Sequence, residues 1–140
     1  MRYLGIDYGT RRIGLAISDP SGSMAFPDKV VTNNGRESAA AIIVALAKEK
    51  GVEEIVLGES KNFQGEPNDV QADIEAFKIL LEKDFIVHYQ NETMSSAEAA
   101  RSVSKAAQAE RSGESRDSML DASAAAIILN SFLTRKRLGL

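Results

Sequence analysis

The chain contains no cysteine. Disulfides, thiolate nucleophiles and cysteine-built zinc or iron–sulfur centres are therefore excluded. It has one histidine, His88, inside the strand-like run Phe85-Ile86-Val87-His88-Tyr89, where a packed or surface position is expected rather than catalysis. No nucleophile-elbow motif accompanies it, so a Ser-His-Asp hydrolase is a poor reading. No apolar run is long enough to cross a bilayer, and Met1 to Asp7 lack the apolar core of an export signal. The expectation is a cytoplasmic protein with no membrane association. Repeats, low-complexity tracts and an interdomain linker are also missing. At 140 residues the expectation is a single domain, residues 1–140. Hydrophobic residues make up 44% and charged residues 26%, enough apolar material for one core. The net charge is −3, so a nucleic-acid partner would need a local basic patch. A carboxylate metal site would itself contribute some of that negative charge.

The first third reads as strands. Arg2 to Tyr8 alternates and ends in Gly9. Arg12 to Ser18 is a second run, and Asp19-Pro20-Ser21-Gly22-Ser23 is a turn cluster. Pro27 precedes a third run, Lys29 to Thr32. Gaps this short imply hairpins and an antiparallel meander. Asn33-Asn34-Gly35 then breaks the chain. Ala39, Ile42, Ile43, Leu46 and Ala47 follow at helical spacing, with a stop near Gly51. Glu54 to Gly58 reads as a buried strand and Glu59 to Pro67 as a polar loop. Val70, Ile74, Phe77, Leu80 and Leu81 mark a second helix, and Phe85 to Tyr89 a fifth strand. Ser95 and Glu98 form a capping box for an alanine-rich helix to about Ala109. Glu110 to Arg116 is a polar break, and a last helix runs from about Ser118 to Leu133. The order is β-β-β-α-β-α-β-α-α. Strands separated by helices pair in parallel through right-handed crossovers. The expected fold class is α/β: a mixed five-stranded sheet, an antiparallel meander plus parallel strands, with helices on both faces.

Three acids fall where such a fold can bring them together. Asp7 ends the first strand, in Gly5-Ile6-Asp7-Tyr8-Gly9-Thr10. Gly9 lets a backbone or a phosphate approach closely, although an aspartate there also reads as a turn cap. Glu92 follows the fifth strand, where alone it reads as a solvated loop acid. Asp121 lies early in the last helix, beside an apolar stripe of Ala, Ile and Leu, as a dipole-stabilised residue or an inward ligand. Asp117 precedes it by four residues, as a cap or an auxiliary ligand. Hard cations such as Mg²⁺ or Mn²⁺ take carboxylate oxygens. Two such ions about 3.5–4 Å apart activate water and stabilise the leaving oxygen in phosphodiester cleavage. With no cysteine and one histidine, carboxylates are the plausible metal ligands.

The segments Gly5 to Ala16, Ser18-Asp19-Pro20, Ala25-Phe26-Pro27, Ile55 to Gly58, Asn62 to Gly65 and Asp121 to Leu129 together resemble the YqgF family. These RuvX-like proteins are associated with Holliday junction resolution and pre-16S rRNA processing. The resemblance spans nearly the whole chain, and its first block is the most specific part. It implies a ribonuclease-H-like fold and a metal-dependent nuclease using Mg²⁺ or Mn²⁺. Its metal-binding acids correspond to Asp7, Glu92 and Asp121. Arg11 and Arg12 match basic residues after the family's first strand and are candidates to contact phosphate, though a charged turn is commonplace. Arg116, near Asp117 and Asp121, joins them as a candidate for nucleic acid. Arg101, Lys105, Arg111 and the run Arg135-Lys136-Arg137 are further basic positions, the last also reading as a helix end that complements the dipole. The family's Asp-Glu-Arg is here Asn91-Glu92-Thr93, and its Gly-Leu-Pro is Gly58-Glu59-Ser60. Glu59 is thus an extra acid, read first as a surface residue.

The implied substrate is structured RNA, a ribosomal RNA precursor processed at its 5′ end, or branched DNA. The implied assembly is a monomer or a homodimer. Water would displace the leaving oxygen without a covalent enzyme intermediate. Two rivals remain. Gly-Ile-Asp-x-Gly-Thr also opens actin-like ATPases and sugar kinases, but those need two large lobes to enclose ATP. The changed Asn91 and Thr93 motivate a non-catalytic nucleic-acid-binding assembly protein.

Overall fold

A computed structural model describes residues 1–60, 69–92 and 115–139, with side chains at 1–59, 71–90 and 121–139. The expected helix from Ser95 to Ala109, most of the polar break and the basic residues Arg101, Lys105 and Arg111 lie outside them. The first strands are β1 (Tyr3–Asp7), β2 (Arg12–Ser18) and β3 (Ala25–Thr32), followed by helix α1 (Arg36–Glu49). Then come β4 (Glu54–Ser60), α2 (Asp69–Leu81), β5 (Ile86–Glu92) and α3 (Ser115–Leu138). The five strands form one sheet in the order β3-β2-β1-β4-β5. β1 pairs antiparallel with β2, and β2 with β3, while β4 runs parallel to both β1 and β5. The mixed five-stranded sheet expected from the pattern is therefore present, with helices on both faces.

Strand alternation divides the core. Leu4, Ile6, Ile13, Leu15, Ile55 and Leu57 point to one face and pack under α1 and α2 against Ile43, Ile74 and Phe77. Tyr3, Ala16 and Val56 point to the other face and meet Ala125, Ile128, Leu129 and Leu133 of α3. The small residues of α3 let it lie close to the sheet. A Cβ on Gly5 would stand 2.7 Å from Leu129 Cβ, closer than atoms of a packed core approach. Helix α1 stops where expected: Gly51 takes φ +72°, and the amides of Lys50 and Val52 bond the carbonyls of Leu46 and Ala47, closing the last turn.

Several boundaries differ from expectation. β3 begins at Ala25, not Lys29, and Pro27 lies inside it. Proline has no amide to donate, which an edge strand tolerates, and β3 is at the edge. The register shifts between Leu15 and Ala16, whose partners are Lys29 and Pro27, so Asp28 is bulged out and pairs with Lys50 Nζ at 2.9 Å. β4 continues through Ser60 and β5 through Glu92. Glu59 and Glu92 therefore belong to strands rather than to the loops after them. α3 begins at Ser115 and ends at Leu138, longer at both ends than the apolar stripe suggests, so Arg116 and Asp117 lie in its first turn. Among the described residues no helix is long and apolar enough to cross a membrane.

Candidate functional site

Because β1, β4 and β5 are parallel, their C-terminal ends lie along one margin of the sheet, the usual place for a ligand site in open α/β folds. Asp7 ends β1. Its neighbours Ile6 and Tyr8 are buried on the α1–α2 side, where the Tyr8 and Phe77 rings lie 4.9 Å apart. Strand alternation therefore turns Asp7 to the α3 face, the side of Tyr3 and Gly5. The cross-strand partner of Asp7 is Gly14. A Cβ on Gly14 would collide with the Asp121 carbonyl oxygen and the Ala122 amide. The absence of a side chain at position 14 thus lets the backbone of α3 rest on β2 beside Asp7. Two of the three expected ligands are brought to one place by this contact.

Arg12, two residues before Gly14 on the same face, completes it. Its Nε donates to Asp121 Oδ2 at 2.8 Å, with the arginine side chain 43% and the aspartate 20% exposed. Position 92 is the last of β5, opposite Ser60, and has the strand parity of His88 and Gln90. That is the α3 face, about 10 Å across the sheet from β1 at normal strand spacing. Asp117 lies one turn before Asp121, about 6 Å along the axis, and Arg116 lies beside it. Arg11 is exposed in the β1–β2 turn.

Family comparison decides the kinship. The model of the family described as "RuvX: Holliday junction resolvase" matches residues 1–135. The chain belongs to the RuvX family. A Maridesulfovibrio salexigens protein named "Putative pre-16S rRNA nuclease" is 34% identical, over 96% of this chain and 99% of its own. Proteins of the same name from Nitratidesulfovibrio vulgaris and Halothermothrix orenii are each 36% identical over 95% of this chain, covering 93% and 94% of theirs. Among solved structures, Thermus thermophilus RuvC in complex with a Holliday junction substrate superposes with TM-score 0.56 at 18% identity, covering 99% of this chain and 96% of RuvC. Fowlpox virus resolvase with Holliday junction DNA gives 0.57 at 9% identity, covering 97% and 99%. These two likenesses show the ribonuclease-H-like fold.

In this RuvX-family chain the other candidates sort by face. Glu59 has the parity of Leu57, toward α1 and α2, away from the Asp7–Asp121 margin. There the Tyr89 phenol is pushed above its ordinary pKa by burial first, then by the carboxylates of Glu75, Glu59 and Glu82. Glu59 is half-buried on that face. His88 packs as expected: its Nε2 lies 2.6 Å from Glu54 Oε1, and its ring centre 5.0 Å from that of Phe132.

Asn33 reads in the sequence as a chain breaker. In the fold its Nδ2 donates to Gly9 O at 2.8 Å, its Oδ1 accepts from Gly35 N at 3.1 Å, and its amide donates to Arg11 O at 2.8 Å. Asn33 thus ties the turn after Asp7 to the start of α1. Asparagine before Asn-Gly was the available signal, since such residues bond nearby backbone.

The donor set suits a hard cation. Asp7 and Asp121 offer carboxylate oxygens on one face, and an arginine already stands against one of them. Among the described side chains no group of three or more His, Asp or Glu is gathered to hold a metal. The side chain of Glu92, the third expected ligand, lies outside them.

Proposed function

We propose that the chain is a metal-dependent nuclease that hydrolyses phosphodiester bonds in structured nucleic acid, with 5′-end processing of pre-16S rRNA as its task. The observation that carries this reading is the meeting of Asp7 and Asp121 across Gly14. The names of the curated relatives favour the ribosomal precursor. Asp7, Glu92 and Asp121 would hold Mg²⁺ or Mn²⁺, with Asp117 as an auxiliary donor. Such a cation, when bound, supplies charge neutralisation at the phosphate and acidifies water.

The chain's own groups do the rest. Asp7 is fixed by a strand whose adjacent residues are anchored in the core, so its carboxylate needs little reordering to act. Arg12, 43% exposed, orients Asp121 through its Nε and adds positive charge beside the carboxylates. Arg11, in the β1–β2 turn, and Arg116, in the first turn of α3, would be further phosphate contacts. Contacts of this kind set register without reading bases, so nucleic-acid shape selects the substrate.

The test is cleavage of a labelled 5′-extended pre-16S rRNA and, in parallel, of a four-way DNA junction, each with Mg²⁺, Mn²⁺ or EDTA. The reading expects metal-dependent cutting of the RNA. Preferential cutting of the junction would select resolution instead, which needs two sites and hence a dimer. Binding of either substrate without cutting under every metal would overturn the nuclease reading in favour of an assembly protein, with Asn91 and Thr93 as its first suspects.

A further inference from the structure

At the other end of α3 lies a second basic feature that the carboxylate margin does not use. A hollow of about 310 Å³ is lined by His88 and Tyr89 of β5 and by Phe132, Arg135 and Lys136 of α3. That size is at the lower end of ligand-binding cavities. Its cations are exposed to solvent, and each has a contact within the fold. Arg135 Nη1 donates to Gln90 Oε1 at 2.9 Å, and Lys136 Nζ lies 5.6 Å from the centre of the Tyr3 ring. The neighbouring Tyr3 raises the pKa of that ammonium. Glu54, whose carboxylate acts on Lys136, also meets His88 Nε2 at 2.6 Å. The aromatic rings of Phe132 and His88 form its wall.

Cations beside aromatic faces suit single-stranded nucleic acid, whose phosphates meet the cations while its bases stack. A helix end that merely complements its dipole would not need the glutamine clamp or the aromatic wall. In a chain of net charge −3, a local basic hollow also supplies the attraction that the overall charge does not.

The geometry points to this hollow as a subsite for a single-stranded nucleic-acid segment, with Arg135 and Lys136 on its phosphates and Phe132 and His88 against a base. Arg135 lies fourteen residues beyond Asp121 on α3, about 21 Å along the axis. The subsite is thus remote from the carboxylates and would hold a strand that extends past the cleavage point. This inference rests on the nuclease reading for the identity of that strand.

The test is fluorescence anisotropy with a labelled single-stranded RNA of about 12 nucleotides, with EDTA present, across a series of salt concentrations. The variants are Arg135→Gln/Lys136→Gln and the charge-keeping Arg135→Lys/Lys136→Arg. The glutamine pair is expected to raise Kd about 5-fold or more near 0.1 M salt and to flatten the slope of log K against log salt by about 1.4, the share of two phosphate contacts on a single strand. The charge-keeping pair should restore most of that slope. An unchanged slope in the glutamine pair, or no binding by the unaltered chain, would overturn the subsite. Cleavage of 5′-extended pre-16S rRNA in Mg²⁺ is followed with the same protein preparations. Binding with the predicted slope but no cutting would contradict the nuclease reading and leave the subsite standing, and cutting with an unchanged slope would do the reverse.

Discussion

At the scale of single residues, charge is arranged by geometry that few sequence signals announce. Arg12 and Asp121 are separated by 109 positions yet bonded; a sequence shows both charges but not their meeting. The pair is partly solvated, so Arg12→Gln should cost no more than about 1 kcal/mol in a urea titration. The same change removes a cation that competes for Asp121, so calorimetry should show tighter Mn²⁺ binding; weaker binding would contradict the competition. Asp19 is a second case. Its carboxylate accepts from the Ser23 hydroxyl and from the amides of Ser23 and Met24 at 2.7 and 3.2 Å, as well as from the Ser21 hydroxyl. The Ser23 hydroxyl first, then the two amides, hold the Asp19 pKa far below the usual carboxylate range. A depressed folded pKa means that its stabilising effect is complete above the unfolded value of about 3.9. The effect is lost as pH falls from there through the folded value. Asp19→Asn should therefore lower Tm at neutral pH, and the gap to the unaltered chain should narrow in strong acid. A gap independent of pH would contradict this.

At the scale of elements, alternation and helical spacing located the strands, α1 and α2, but not every boundary. Pro27 reads as a terminator and is instead an interior residue of an edge strand, because the missing amide faces no ladder. Gln90, Asn91 and Glu92 carry no strand signal of their own; pairing with Gly58, Glu59 and Ser60 makes them β5. That pairing puts Glu92 at the sheet margin rather than in a loop. The seat of α3 on β2 depends on Gly14, a feature no periodicity reveals. Gly14→Ala should cost about 1–3 kcal/mol by overpacking, since the new Cβ meets backbone rather than a movable side chain. Because the displaced backbone is that of Asp121, metal-dependent cleavage should fall along with stability. A fully stable, fully active Gly14→Ala chain would contradict the proposed seating.

At the scale of the whole molecule, the two sheet faces have different work. The face under α1 and α2 is the larger apolar core, with Phe77, Leu4 and Ile6 fully buried. Phe77→Ala should cost about 3–5 kcal/mol, a large part of the total stability of a domain this size. Ile42→Ala, at a side chain 44% exposed, should stay within about 0.5 kcal/mol. Equal costs in denaturant titrations would contradict this placement of the core. The α3 face bears the proposed sites: Asp7 and Asp121 at the margin where the parallel strands end, and the cationic hollow at the far end of the same helix. The sequence displayed the acids and the basic run. It could not display that one helix, seated against the glycines of the sheet, bears both.

The central claim is that Asp7 and Asp121 act as one unit in metal-dependent cleavage. The most direct measurement is single-turnover cleavage of 5′-extended pre-16S rRNA in Mg²⁺ by Asp7→Asn, Asp121→Asn and the double variant, each checked for unaltered folding. Each single change should slow cleavage by about 100-fold or more, and the double change should be hardly worse than either, as for residues that act as a unit. Losses that multiply in the double variant, or a single variant that cuts at the unaltered rate, would contradict the account.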